Sequence, residues 1–172
     1  PKGVGALYVK KGVSLKPLIH GGSQESNLRA STENISGIGG FGLATEKAIN
    51  NMHINCNKIL TLEKYFIESL NKKHLDYKIN GINRVPGVFN ITFNNFDGQS
   101  LVLQLDIAGI GISFGAACSS GTTKTSSMLT DIGLTENEAS SSVRISIGKI
   151  HNKNDIDVLV EKISNNILNL NI

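Results

Sequence analysis

The sequence predicts an α/β chain whose second half is a compact α+β unit running from about residue 76 to the end. Three observations carry this expectation. Val88-Phe89-Asn90-Ile91-Thr92-Phe93 alternates in the period of a half-buried strand, and so does Val143-Arg144-Ile145-Ser146-Ile147. Ile156, Leu159, Val160, Ile163, Ile167 and Leu170 recur at the spacing of one helical face. Strand and helix patterns also follow one another along this stretch, as they do in layered α/β and α+β domains.

The 172 residues suit one ordinary domain, or one domain plus a piece of another. With 40% hydrophobic and 18% charged residues, the chain can build a packed core. No apolar run approaches the roughly 20 residues that span a bilayer. No charged-then-apolar leader opens the sequence, and the first residue is Pro1 rather than Met, so the natural amino terminus is expected upstream. The net charge of +3 is mild, and Lys and Arg are scattered, which argues against nucleic acid as a partner. Two cysteines without a Cys/His cluster give neither a zinc site nor a disulfide framework, and imply a reduced, cytoplasmic setting.

Taken in order, Gly5-Ala6-Leu7-Tyr8-Val9 is a short apolar run that reads as a buried strand. From Pro17 to Ser36 the chain has no period and is rich in Gly, Ser, Asn and Thr, which predicts a long loop. A helical pattern from about Ile38 to Asn71 places Met52, Cys56, Ile59, Leu62, Phe66 and Leu70 at compatible spacings, and reads as one long helix. After the Val88–Phe93 strand, Asp97 can cap a helix through Leu101, Leu105 and Ile107, ended by Gly109. Ile110 to Phe114 is strand-like. Gly115 to Ser127 is small and hydroxyl-rich, and is expected to be mobile because it has little to bury. Thr135 and Glu138 have capping-box spacing, and Asn152 is placed to cap the final helix.

Chemistry-bearing residues are few. Cys118 sits in Gly115-Ala116-Ala117-Cys118-Ser119-Ser120-Gly121, too small and polar a segment for core. An isolated cysteine is usually buried and inert, but this context favours a reactive thiol, which needs exposure and mobility. Cys56 lies on a helical face and is assigned to packing. Arg144 falls on the strand face opposite Val143, Ile145 and Ile147, where it is either a solvated surface residue or a clamp for a carboxylate. Gly37-Ile38-Gly39-Gly40-Phe41-Gly42 has the G-x-G-x-x-G spacing, but a polar loop precedes it where a dinucleotide site needs a strand. Close helix packing is the simpler reading of those glycines. His20, His53, His74 and His151 are dispersed and read as structural or surface residues, so no metal is expected.

Taken together, these segments resemble NifS/IscS-type pyridoxal-phosphate-dependent cysteine desulfurases of the class V aminotransferase family. Pro1 to Val9 is similar to the strand that follows the cofactor lysine in that family. His20-Gly21-Gly22-Ser23-Gln24-Glu25 and Arg29-Ala30-Ser31-Thr32-Glu33-Asn34 resemble its H-G-G-G-Q-E-R-G-x-R-x-G-T-E-N loop. Ala117-Cys118-Ser119-Ser120-Gly121 resembles the catalytic loop of the longer-loop branch, and Ser141 to Gly148 its S-S-V-R-x-S-x-G strand. The match covers essentially the whole chain, and corresponds to the carboxy-terminal part of such an enzyme.

The resemblance implies a fold-type-I transferase. Residues 1–52 would be the end of the large cofactor domain, 53–75 a connecting helix, and 76–172 the small domain with the cysteine loop. It implies that L-cysteine is converted to L-alanine, with its sulfur left as a persulfide on Cys118. Arg144 would hold the substrate carboxylate, and Thr32 would reach the cofactor phosphate of the partner subunit in a homodimer. Pyridoxal phosphate would be the cofactor, with its Schiff-base lysine upstream of Pro1, so the chain alone is expected to be inactive. A sulfur-acceptor or scaffold protein would take the persulfide, for iron–sulfur clusters or transfer-RNA thiolation. Ser23, Ser26, Asn27 and Ser31 stand where the family has Gly, Arg, Gly and Gly, and Thr123-Lys124-Thr125 where it often has Leu-Glu-Pro. The alternative reading is a non-catalytic sulfur-relay or assembly module that retains Cys118.

Overall fold

The computed structural model describes residues 1–115 and 127–168, which form two compact units, Pro1–His53 and Ile54–Ile172. In the first unit, residues 1–34 are irregular apart from one short 3-10 turn at Glu25–Asn27, and helix α1 follows at Ile35–Asn50. Asn34 caps α1 by accepting from the Gly37 N–H at 3.1 Å. The glycine fingerprint therefore lies inside the first turns of a helix rather than on a strand-to-helix turn, which removes its dinucleotide reading. A Cβ at Gly39 or Gly42 would meet nothing within 4 Å, and one at Gly40 only Pro1 at 3.3 Å. Close packing is thus not what these glycines provide among the described residues.

Gly5 to Val9 is not a strand. Leu7 and Tyr8 are 79% and 87% exposed, and no described segment pairs with this run. The long helix foreseen from Ile38 to Asn71 is two helices, α1 and α2 (Met52–Lys72). Asn51 leaves the helical region at φ −101°, ψ 2°, and its side-chain amide donates to the Lys47 carbonyl at 2.8 Å. An amide side chain that competes for a helix carbonyl is a common way to end a turn.

The second unit is a four-stranded antiparallel sheet with its three longest helices laid on one face. Its strands are β1 (Tyr77–Asn80), β2 (Val88–Phe93), β3 (Ser113–Phe114) and β4 (Ser142–Ser146), in the order β1-β2-β4-β3. The intervening helices are α3 (Gly98–Ile107), α4 (Ser127–Asp131) and α5 (Glu136–Ser140), and α6 (Lys153–Leu168) closes the unit. Alternation along the strands sends Phe89, Ile91 and Phe93 of β2, and Val143 and Ile145 of β4, into one core. They meet Leu62, Phe66 and Leu70 of α2, Leu101 and Leu105 of α3, and Ile156, Leu159, Val160 and Ile163 of α6. Phe66 and Phe89 pack edge to face, with ring centroids 5.3 Å apart. Each such fully buried side chain contributes roughly 1.5–3 kcal/mol, so this core holds the unit together.

The caps read from the sequence form as expected. Asp97 accepts from the Ser100 N–H at 2.7 Å, and Thr135 and Glu138 complete a reciprocal capping box. Asn152 accepts from the N–H groups of Asn154 and Asp155 at the head of α6. Strand β3 is shorter than the Ile110–Phe114 run suggested, and β1 and α4 carried no signal strong enough to be read beforehand. Among the described residues no helix is long and apolar enough to cross a membrane.

The other face of the sheet is polar. Asn80 is buried there and donates to Asn90, Thr92 and Ser142 at 2.7, 2.8 and 3.2 Å. Helix α5 adheres to this face through the Ser142 hydroxyl, which donates to the Glu138 carbonyl at 2.6 Å, and through a 2.7 Å ion pair between Lys78 and Glu138. The Lys78 ammonium, helped by the Thr135 N–H and hydroxyl, holds the Glu138 carboxyl well below its usual 4.5, at about 2. A carboxyl depressed on folding contributes stability that is fully present above its unfolded value and lost as pH falls through the folded one. Stability should therefore decline between pH 4.5 and about 2. Glu138→Gln should flatten this part of a urea-midpoint profile, and an unchanged profile would contradict the assignment.

Candidate functional site

Arg144 lies at the centre of β4, with Asn90 of β2 opposite it on one side and Ser113 of β3 on the other. Strand alternation buries its neighbours Val143 and Ile145 in the core and leaves Arg144 exposed on the polar face. Its Nη2 donates to the Ser113 hydroxyl oxygen at 3.2 Å. A guanidinium has five N–H donors, so this bond leaves most of the fork available. The Asn90 side-chain oxygen accepts from Asn80 at 2.7 Å.

The described residues contain a useful contrast. Arg84 is committed to the fold: it pairs with the buried Glu63 carboxylate, and its guanidinium lies 4.2 Å over the Phe89 ring. Glu63 also accepts from the Gly87 N–H at 2.6 Å. Arg144 has no carboxylate partner among the described residues, whose ion pairs are Lys64–Glu68, Lys78–Glu138 and Arg84–Glu63. A planar donor fork that is exposed, held at one corner and unpaired can receive an external carboxylate with two parallel hydrogen bonds.

Cys118 lies outside the described residues, as does most of the Gly115–Ser127 segment expected to be mobile. In the sequence Cys118 follows Phe114, the last residue of β3, by four residues, and β3 is the strand paired with Arg144. Cys56, assigned to packing, is a free, half-buried cysteine on α2. His151 is structural, accepting from the Gly148 N–H at 2.8 Å.

Thr32 belongs to the first unit and is exposed. The loop that carries it uses left-handed backbone at Glu25, Ser26, Asn27 and Ser31, with φ of 50°, 56°, 64° and 96°. Two of these, Asn27 and Ser31, are positions where the resembled motif has glycine. The loop thus keeps a glycine-type path with side chains on it, at a cost of about 1–2 kcal/mol per non-glycine residue, least for Asn. The nearby Arg29 donates to the Ala30 carbonyl at 2.7 Å. The Thr32 hydroxyl makes no hydrogen bond to the described residues, which leaves it free as a donor. An exposed, uncommitted hydroxyl on a turn-rich loop fits a phosphate monoester oxygen.

Ser113 is the site residue that carried no signal in the sequence. A serine in a short strand-like run is unremarkable until the register sets it beside Arg144.

Residues 1–159 match the family Aminotransferase class-V. The chain is similar to proteins named cysteine desulfurase IscS, being 42% identical over 163 residues to that of Dictyoglomus turgidum and 40% to that of Methanosarcina thermophila. These alignments cover 94% of this chain but only 41% and 40% of the relatives, so the chain spans about two-fifths of their length. Among solved structures, a NifS-like protein from Rickettsia africae is 33% identical with a TM-score of 0.76, over 91% of this chain and 41% of that one. A second NifS-like protein is 28% identical with a TM-score of 0.78, over 95% of this chain and 41% of the other. A protein described as SspA in complex with cysteine is 29% identical with a TM-score of 0.57, covering 80% of this chain and 37% of that one. With 159 of 172 residues inside the family match and NifS-like folds over the same stretch, the chain belongs to the aminotransferase class-V family.

Proposed function

We propose that this chain is the carboxy-terminal part of a cysteine desulfurase, which converts L-cysteine to L-alanine and leaves the sulfur as a persulfide on Cys118. The observation that carries the reading is the Arg144 fork, without a carboxylate partner among the described residues, on the strand hydrogen-bonded to β3, from which the chain leads into the Cys118 segment. A carboxylate receptor and a thiol, here four residues along the chain from the end of β3, are what sulfur abstraction from an amino acid requires. The names of the relatives, and the neighbour described as a complex with cysteine, support the same substrate.

In this reading Arg144 binds and orients the substrate carboxylate, a positioning role that converts binding energy into alignment. The Cys118 thiolate attacks the substrate sulfur. As the new S–S bond forms, the C–S bond breaks, and its electron pair leaves with the carbon skeleton, released as alanine after protonation. The terminal sulfur on Cys118 is then open to attack by an acceptor protein, in a pathway such as iron–sulfur assembly or transfer-RNA thiolation. Pyridoxal phosphate, when bound, supplies an electron sink at the substrate carbon. Thr32 would hold its phosphate oxygen from the partner subunit of a homodimer.

Residues 1–52 are read as the end of the large cofactor domain, 53–75 as the connecting helix and 76–172 as the small domain. Within the first unit only Ala30 is a buried apolar residue, while Leu7, Tyr8 and Leu18 are 79%, 87% and 94% exposed. Apolar surface on that scale supports its being one face of a larger domain. The proposed setting is the cytoplasm, where a free thiol stays reduced.

The test is Arg144→Lys in the full-length, cofactor-loaded protein. A point charge replaces a two-pronged donor, so the KM for L-cysteine should rise about tenfold or more. The thermal midpoint should change little, because the side chain is exposed and pairs with no carboxylate among the described residues. A destabilised variant with a normal KM would make Arg144 a structural residue and remove the carboxylate receptor from the reading.

A further inference from the structure

We infer that Ser113 is a positioning residue for Arg144, fixing the plane in which the guanidinium meets the substrate carboxylate. The inference rests on the proposed role of Arg144 and adds a residue that the sequence motifs do not single out. Its basis is the pairing of the two-residue strand β3. Ser113 stands directly opposite Arg144 in an antiparallel pair, so the two side chains share the polar face, and Arg144 Nη2 donates to the Ser113 hydroxyl oxygen at 3.2 Å. Of the two residues flanking Arg144 across the sheet, Ser113 is the one that accepts from it, while the Asn90 side-chain oxygen accepts from Asn80 at 2.7 Å.

An arginine side chain has four rotatable bonds before its rigid head. Without an acceptor at one corner, the fork would sample many orientations on an exposed face, and each bound carboxylate would have to immobilise it anew. Ser113 accepts from one N–H and so restricts that sampling before substrate arrives.

The backbone under Ser113 is itself held. Phe114, the next residue, packs where α3 begins at Gly98. A Cβ on Gly98 would lie 2.9 Å from the Ser140 carbonyl oxygen and 3.0 Å from both the Ser142 carbonyl oxygen and the Phe114 ring. Gly98 thus lets α3, β3 and β4 close on one another. The Ser113–Arg144 bond is consequently set by the sheet rather than by a loose loop.

The experiment compares Ser113→Ala, Ser113→Thr, Arg144→Lys and the Ser113→Ala/Arg144→Lys double variant in the full-length, cofactor-loaded protein. Ser113→Ala should raise the KM for L-cysteine roughly three- to tenfold with kcat within about twofold. Affinity for L-alanine, which keeps the carboxylate but has no sulfur to transfer, should weaken by a similar factor in calorimetry. Ser113→Thr keeps the acceptor and should restore most of the loss. In the Arg144→Lys background, Ser113→Ala should add less than about twofold, because the fork it orients is already gone. Parallel loss of kcat and KM, failure of threonine to rescue, or a full additive loss on top of Arg144→Lys would overturn the inference. Should Arg144→Lys itself leave KM unchanged, the role of Arg144 falls and the inference with it. A large Arg144→Lys effect beside a neutral Ser113→Ala would overturn the Ser113 inference alone.

Discussion

Serine in place of Cys118 is expected to reduce sulfide release by the full-length, cofactor-loaded protein on the order of a thousandfold or more, while the protein still binds its cofactor and L-cysteine. The size of the effect comes from the nucleophile. A free thiol titrates near 8.5, within reach of neutral pH, and its thiolate is a soft, strong nucleophile toward sulfur. A hydroxyl at the same position is scarcely ionised at neutral pH and attacks sulfur poorly. Nothing else in the substitution is large, since the segment around Cys118 is built of small polar residues that serine matches. The absorption change on adding cysteine should therefore still develop in the variant, whereas alanine and persulfide should not accumulate. Cys56→Ser is the control. That residue is half-buried on α2, so its replacement should cost about 1 kcal/mol of stability at most and leave turnover intact. Persulfide formation at the parental rate by Cys118→Ser would remove Cys118 from the reaction and leave Arg144 as a carboxylate receptor without a nucleophile.

Much of the second unit was legible in the sequence because its strands and last helix are strongly periodic. Phe89, Ile91 and Phe93 alternate, as do Val143 and Ile145, and tertiary packing agrees with that pattern. The caps at Asp97, Thr135 and Asn152 were legible for a local reason: their bonds lie within three residues of one another. Failures have equally physical causes. Gly5 to Val9 has strand composition, but composition does not supply a pairing partner, and no described segment pairs with it. Tyr77 to Asn80 is only four residues long and buries the polar Asn80, so it carries little strand signal, and three hydrogen bonds hold that amide in place. For the proposed site, residue type, local context and resemblance single out Cys118, Arg144 and Thr32. They do not single out Ser113, because cross-strand register is a long-range property that no local pattern encodes.

The largest effect on stability is expected at Gly87, between β1 and β2. Two independent constraints fall on this residue. Its φ is +83°, in the left-handed region, so any side chain there is strained by about 1–2 kcal/mol. A Cβ would also lie 2.2 Å from the Ile147 carbonyl oxygen and 2.8 Å from the Ile59 Cγ2. The first of these is backbone, and it cannot swing away as a side-chain tip could. The residue is pinned on both sides, because the Gly87 N–H donates to the buried Glu63 carboxylate at 2.6 Å and the Gly87 carbonyl accepts from the Ile147 N–H at 2.7 Å. Moving the backbone to admit a methyl group would stretch both bonds and loosen the grip of Glu63 on Arg84. Gly87→Ala should accordingly destabilise the chain by about 3–5 kcal/mol, at the upper end of what single substitutions cost. Gly81→Ala is the informative comparison, because Gly81 shares the positive φ, at +80°, but a Cβ there meets nothing within 4 Å. It should cost only the backbone strain of about 1–2 kcal/mol. Urea unfolding of the two variants separates the contributions, the excess at Gly87 measuring the close approach of α2 and β4. Equal losses at the two positions would mean that the contact with Ile147 relaxes freely, and the β1–β2 connection would then be held less tightly than its hydrogen bonds imply.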